Sequence, residues 1–423
     1  MIQLTSLRFS EKQVPSDSFH FFRVWTCLLV VYEVLTHFYH DFIKTLYIDP
    51  AILFPYLSWL KPLSLGGMNA VFILIALSAA AVAMQKFYRI STWVLVALFG
   101  YIIFLDKVLY LNHMYLLWLI LILFALMPKV GSKIQEGWLQ VFKLLLGIVY
   151  FYAAVAKLNP DWVFRSEPMY SWLSDRDDLP LIGWLFAEKF VAILFSFSGI
   201  LIDFFLIPAL WTKKYRAPAF IVGVAFHSFN ALYFDIGIFP FLMIAAMTLF
   251  FDPDWCPGWM KGLWKKHFHT LGANVKGPGK VIWVFFAFQI LFPLRGYFYP
   301  GVALWTQDGH AFSWRMMLRS VEGRLAFSIV DPKTGQQWLE QPRERFRGLA
   351  LREVCTNPEI ILQYAHFIRD RYAEKGIAGV KVFAISGLNL NSNGDKTYVN
   401  PEVDLTQVKA SDFYVNWLMP YPY

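Results

Sequence analysis

Nine apolar runs divide the first 294 residues, at about 20–38, 67–85, 91–106, 113–127, 138–157, 189–211, 217–233, 237–251 and 280–294. Such a run has two destinations, a protein core or the hydrocarbon of a bilayer, and a helix needs roughly 20 residues to cross the latter. Composition decides between them. The chain is 57% hydrophobic and only 16% charged, with a mean hydropathy of +0.45, well above what a water-soluble domain carries. The expected fold is a polytopic α-helical membrane protein with about nine transmembrane helices. Several runs are short for a simple crossing, so the third and fourth, or the seventh and eighth, can alternatively be single broken or re-entrant units.

Loop charge gives an independent test, because short cytoplasmic loops are enriched in Lys and Arg. With the N-terminus inside, the inner loops and span edges hold Arg8, Lys12, Arg23, Lys86, Arg89, Lys129, Lys133, Lys213, Lys214, Arg216, Lys261, Lys265, Lys266, Lys276 and Lys280. The outer ones hold Lys44, Lys61, Lys107, Lys157, Arg165, Arg176 and Lys189. Fifteen against seven supports nine spans with a cytoplasmic N-terminus and an extracytoplasmic C-terminus. The same clusters account for the net charge of +8, so membrane lipid, and not nucleic acid, is the expected partner. The first twenty residues hold no apolar signal-peptide core, and the first span is expected to direct insertion.

From residue 295 to 423 the composition becomes that of an ordinary α+β domain, expected on the outer face. Residues 325–330, a turn at Asp331-Pro332-Lys333-Thr334-Gly335, and residues 336–339 read as a hairpin. Asn357-Pro358-Glu359 reads as an N-cap, a first-turn proline and an acidic first turn, opening a helix to about Ala373. A strand is expected from Val380 to Ile385. Cys27, Cys256 and Cys355 are too few and too scattered for a disulfide framework.

Ionisable side chains inside spans are costly, so each one present needs a reason. Lys157 ends the fifth run, just before Trp162. It can be a lysine snorkelling to the outer interface beside an aromatic-belt tryptophan, or the polar group of a pocket. His113 lies at the turn between the third and fourth spans, and His227 lies in the outer half of the seventh. Alone, either histidine reads as a hydrogen-bonded structural residue. Together with Lys157 they share the outer level, as one pocket beneath the C-terminal domain would require. His37 and His40 end the first span at the same level. They are the only histidine pair of that spacing near a span, which is too little for a membrane iron centre, and no metal is expected. The Gly66-Gly67 pair reads as a helix start or turn.

Six motifs in order resemble the vitamin K-dependent gamma-glutamyl carboxylase family, and they cover roughly residues 18–418. They are Tyr88-Arg89-Ile90-Ser91; Leu105-Asp106-Lys107 with Asn112-His113-x-Tyr115-Leu116; Lys157-Leu158-x-x-Asp161-Trp162; Phe226-His227-x-x-Asn230 with Ile236-Gly237-x-Phe239; Phe312-Ser313-Trp314-x-Met316-Met317; and Asn400-Pro401-x-Val403-Asp404. The chain departs from the family where Ala156, often a lysine, precedes Lys157, and where Arg315 occupies a position that can be acidic.

The resemblance implies an enzyme that couples oxygenation of vitamin K hydroquinone to removal of a γ-proton from a protein glutamate, after which CO2 adds to the carbanion. It implies Lys157 as the base that deprotonates the hydroquinone and His113 as an aid at the carbanion step. Asn112, His227, Trp314, Met316 and Met317 would line the quinone and substrate site. The co-substrates would be a menaquinol-like hydroquinone, O2 and CO2, and the partners a glutamate-containing peptide or protein and, indirectly, a quinone reductase.

The residue types suit that chemistry. No side chain is basic enough to remove a C–H proton beside a carboxylate, so the strong base must be made in the site from O2 and a reduced quinone. A phenol titrates near 10 and a free lysine at about 10.4, so a lysine that starts the reaction must spend time neutral, as apolar surroundings allow. Quinone tails dissolve in lipid, while peptides and CO2 arrive from water. No Asn-x-Ser/Thr sequon occurs, which favours a bacterial plasma membrane over the endoplasmic reticulum. Two other readings stay open: an epoxidase that does not carboxylate protein, and a non-catalytic transporter or quinone-binding scaffold.

Overall fold

The computed structural model describes residues 9–178, 183–234, 236–260 and 276–422. Of the inner-loop cations, Arg8, Lys261, Lys265 and Lys266 lie outside the described residues. All nine apolar runs are helical. In order, the helices are α1 (Asp17–Tyr39), a short α2 (Phe42–Tyr47), α3 (Leu65–Ala83), α4 (Tyr88–Leu105), α5 (Asn112–Leu126) and α6 (Glu136–Lys157). Two short helices, α7 (Met169–Ser174) and α8 (Gly183–Phe186), precede α9 (Lys189–Trp211), α10 (Arg216–Tyr233), α11 (Phe239–Met247) and α12 (Val281–Leu294).

Five of these, α1, α3, α4, α6 and α9, are long and apolar enough to cross a membrane. The expectation of about nine full spans is met in coarser form, because the remaining apolar helices are shorter or more polar. The reasons are local. The fourth run cannot start before Asn112, because the Asp106 carboxylate accepts the Val108 N–H at 3.0 Å and winds residues 107–109 into a separate 3-10 turn. The eighth run tightens into a 3-10 turn at Thr248–Phe250. Ser64 caps the start of α3 through the Gly67 N–H at 3.3 Å, so the glycine pair does mark a helix start.

The helices bury one continuous core in which large aromatics interlock, with Phe22 meeting Phe124 at 5.9 Å and Phe142 at 5.5 Å edge to face. β1 (Gln13–Pro15) pairs antiparallel with β2 (Lys133–Gln135), pinning the N-terminal segment beside the start of α6.

The C-terminal α+β domain is a four-stranded antiparallel sheet in the order β4-β3-β5-β6, from β3 (Val321–Val330), β4 (Gln337–Glu340), β5 (Lys381–Leu390) and β6 (Asp395–Thr397). The hairpin closes with Val330 opposite Gln337, as the turn residues require. Helix Pro358–Glu374 starts where Asn357 accepts the Glu359 N–H at 3.1 Å. β5 runs beyond Ile385 to Leu390, because β3 pairs with it along its whole length. All three cysteines are buried, and burial pushes the Cys355 thiol up to about 11.

Several ties hold this domain over the helices, two of them through the charged loop residues Lys107 and Asp161. Lys107, its side chain 5% exposed, pairs with Glu359 at 2.7 Å. On the other tie Asp161 accepts from the Asn391 amide at 2.9 Å, Arg165 donates to the Asn391 carbonyl at 3.2 Å, and Ser171 meets Ser392 at 2.8 Å.

Candidate active site

A cavity of about 1220 Å3 lies between the helices and the C-terminal domain. Apolar side chains form most of its wall, while Lys157, Asp203, His113, Asn112, His227, Asn230 and Glu33 are among its polar groups, with His37 also in the lining. On one side its lining includes Tyr32, Val222, Ala225 and Phe241, which are also exposed on the outer surface of α1, α10 and α11. Within a bilayer that surface meets acyl chains, so the cavity has a window toward lipid.

α6 brings Tyr150, Ala153 and Lys157 to the cavity on one face, as helical periodicity dictates. The helix stops at Lys157 because Pro160 follows and Asn159 turns back to accept the Trp162 N–H at 3.1 Å. Lys157 does not snorkel. It is 7% exposed, and its Nζ donates to Asp203 Oδ2 at 2.6 Å and to the Ala153 carbonyl at 3.4 Å, lying 5.3 Å from the centre of the Trp162 ring. Trp162 is equally far from a belt position, being fully buried with its indole N–H on the Ser196 carbonyl at 2.9 Å. Asp203, on α9, is 5% exposed, and Gly199 one turn earlier brings the helix against Trp162 and the Lys157 stem.

His113 sits in the first turn of α5, facing Gly237. A β-carbon on Gly237 would stand 3.5 Å from His113 Nε2 and 4.0 Å from a Glu33 carboxylate oxygen. Gly237 has φ +56°, a left-handed conformation that glycine adopts without strain. The neighbouring Asn112 accepts from Tyr110 Oη at 3.1 Å, and that oxygen accepts the Phe312 N–H at 2.8 Å, linking the histidine's turn to the C-terminal domain. His227 is buried with Nε2 at 2.7 Å from Tyr150 Oη, and its Nδ1 has no hydrogen-bond partner among the described residues. Phe239 stands between the two imidazoles, 6.2 Å from His113 and 5.8 Å from His227 by ring centres.

Residues 12–255 match a family model described as the HTTM domain, and residues 278–423 match the vitamin K-dependent gamma-carboxylase lumenal domain. The chain belongs to the vitamin K-dependent gamma-carboxylase family. It is accordingly a multi-pass membrane protein with a lumenal-type C-terminal domain. No solved structure matches it.

For a gamma-carboxylase family member the arrangement of the sequence-singled residues is informative. The cavity gathers Lys157, His113, Asn112, His227, Met316 and Met317. Trp314 is not in its wall. It is fully buried and stacked on Tyr115 at 5.1 Å, within the core of the helices. His37 and His40 do not converge: His37 Nδ1 meets the Glu33 carbonyl at 2.8 Å, and His40 stacks on Phe42 at 5.1 Å. Among the described residues no group of three or more His, Cys, Asp or Glu side chains is placed to hold a metal ion.

Three residues escaped the sequence reading: Asp203, Glu33 and Tyr150. The first two carried a usable signal, each being a lone carboxylate inside an apolar run. Tyr150 carried none, since tyrosine is ordinary in such a helix.

Proposed function

We propose that this chain is a vitamin K-dependent gamma-glutamyl carboxylase with hydroquinone epoxidase activity. The observation that carries the reading is the buried Lys157–Asp203 pair in a cavity shared with His113 and His227 and open toward lipid. A reduced quinone fits such a chamber, with its prenyl tail along the apolar wall and window and its hydroxyls at the polar end. When bound, the quinone supplies the oxygen chemistry that generates a base stronger than any side chain.

The chain's own groups then have limited tasks. Lys157 accepts the hydroquinone proton, and Asp203 fixes its Nζ at hydrogen-bond distance and offers a site to which a lysine proton can move without changing the net charge of the pair. His227, oriented by Tyr150, positions the ring system. His113, with Asn112 beside it, serves the glutamyl side, where the γ-proton leaves and CO2 forms the new carbon–carbon bond. The epoxide must be returned to hydroquinone by a separate reductase.

The deciding measurement is made in one preparation of the purified protein with reduced vitamin K, O2, labelled CO2 and a glutamate-containing peptide. Epoxide together with fixed label supports the reading. Epoxide without label reduces it to an epoxidase, and quinone binding without O2 consumption to a scaffold. Within the carboxylase reading, His113→Ala is expected to depress CO2 fixation more than epoxide formation. Equal loss of both moves His113 to quinone binding.

The topology proposed with this function has nine crossings, the N-terminus in the cytoplasm and the C-terminal domain outside a bacterial plasma membrane. Because the native thiols are buried, introduced cysteines report it best. A membrane-impermeant thiol reagent on intact cells is expected to label Lys333→Cys, at the exposed hairpin turn, and to spare Lys213→Cys, at the exposed turn before α10. The opposite pattern reverses the orientation.

A further inference from the structure

Lys143 is a second lysine within an apolar run, and the chemistry described above does not use it. It lies two turns into α6, about 10 Å along the helix from Glu136 and roughly 20 Å from Lys157 at the other end. Its side chain is half-buried, with Nζ 5.5 Å from the centre of the Phe250 ring and 6.0 Å from that of Trp211. Trp211 ends α9 and Phe250 closes the 3-10 turn after α11, so the ammonium sits at the level where these helices leave the bundle. The two rings replace part of the water it has lost. Its three donors nevertheless have no hydrogen-bond acceptor and no ion pair among the described residues.

Other cations gather at the same level. The turn from α9 to α10 presents the exposed Lys213 and Lys214, neither of them in an ion pair among the described residues, and α10 begins at Arg216. Arg216 is close enough to act on Lys143 as a like charge. The nearby carboxylates are engaged elsewhere. Asp252 pairs with Arg216 at 3.6 Å, and Glu136 accepts from Ser10 at 2.7 Å. Asp254 follows Pro253, whose carbonyl accepts the Ser18 N–H of α1.

The surface around this charge is apolar. Leu144, Trp211 and Tyr215 are exposed beside it, and in a bilayer they meet acyl chains. A ligand that satisfies the site must therefore carry an anion and apolar chains together. Free phosphate lacks the chains, and a zwitterionic lipid brings its own cation to a place already rich in them.

We propose that the surface between α6 and the α9–α10 turn binds an anionic phospholipid. Lys143, Lys213 and Lys214 hold its phosphate, and its chains lie along Leu144 and Trp211. In the topology above this is the inner leaflet. The proposal is independent of the carboxylase reading, because the site lies at the end of α6 remote from Lys157.

The full-length protein in detergent is titrated with phosphatidylglycerol, with phosphatidylcholine of the same acyl chains, and with inorganic phosphate. Native mass spectrometry counts bound lipid, and the melting temperature is followed in parallel. The parent is expected to bind phosphatidylglycerol at least about fivefold more tightly than phosphatidylcholine, the scale of one interfacial cation, and to melt higher with it. Phosphate alone is expected to leave the melting temperature unchanged. Lys143→Met is expected to remove most of the preference, Lys143→Arg to keep it, and Lys213→Ser combined with Lys214→Ser to reduce it.

Equal binding of the two lipids by the parent overturns the proposal without recourse to any variant. Parental preference in a folded Lys143→Met, or in the double variant at exposed positions, places the lipid elsewhere and also overturns it. Stabilisation by phosphate equal to that by phosphatidylglycerol makes the ligand a small anion and not a lipid.

Discussion

Lys157→Arg is expected to stop quinone oxygenation almost completely while leaving the protein folded. Arginine keeps the positive charge that Asp203 requires at 2.6 Å, but its guanidinium does not surrender a proton in a protein. A phenol with a pKa near 10 is only about 0.1% ionised at pH 7, so without a base the rate should fall by up to about a thousandfold. Raising the pH should recover roughly tenfold per unit, as the hydroquinone ionises in solution. Epoxide formation against pH, in parent and variant, measures this. Oxygenation at the parental rate in the arginine variant would show that Lys157 supplies charge and not proton transfer.

Asp203→Asn is expected to have the largest effect on stability. It leaves a buried ammonium opposite a neutral amide, and breaking a buried pair from one side costs about 3–5 kcal/mol. Adding Lys157→Met to Asp203→Asn removes both charges and should restore most of the melting temperature, since a neutral pair of similar volume is often tolerated. The double variant should remain inactive. For the same reason Lys157→Ala is a poor probe of chemistry, because it strands the Asp203 carboxylate and mixes lost stability with lost catalysis. A melting temperature unchanged by Asp203→Asn in detergent would mean that the carboxylate does not hold the lysine.

The sequence revealed features whose cause is local and missed those whose cause is distant. Asn357 and the Asp331–Gly335 turn act on their own neighbours, and the helix and hairpin appear where their chemistry puts them. The outer end of β5 was invisible because Gly387 and Asn389 weaken the strand pattern, and the pairing that overrides it comes from Arg324 and Glu322 more than sixty residues away. Lys157 looked like a span-end residue because its partner lies on another helix, 46 residues later. The position of Trp162 failed likewise, since an aromatic beside a span end reads as interfacial until α9 covers it. The polar level shared by His113, Lys157 and His227 was visible because it follows from counting spans, whereas the cavity wall depended on side chains from five or more helices.

The ties between the C-terminal domain and the helices have a practical consequence for protein engineering. Lys107–Glu359 and the Asp161–Asn391 cluster engage different loops, and the Tyr110–Phe312 bond adds a third anchor between them. A chimaera carrying this outer domain on the membrane base of another homologue must therefore import Lys107, Tyr110 and Asp161 with it. A graft cut at the chain crossover near residue 295 alone would leave Glu359 and the Asn391 amide facing unmatched loops.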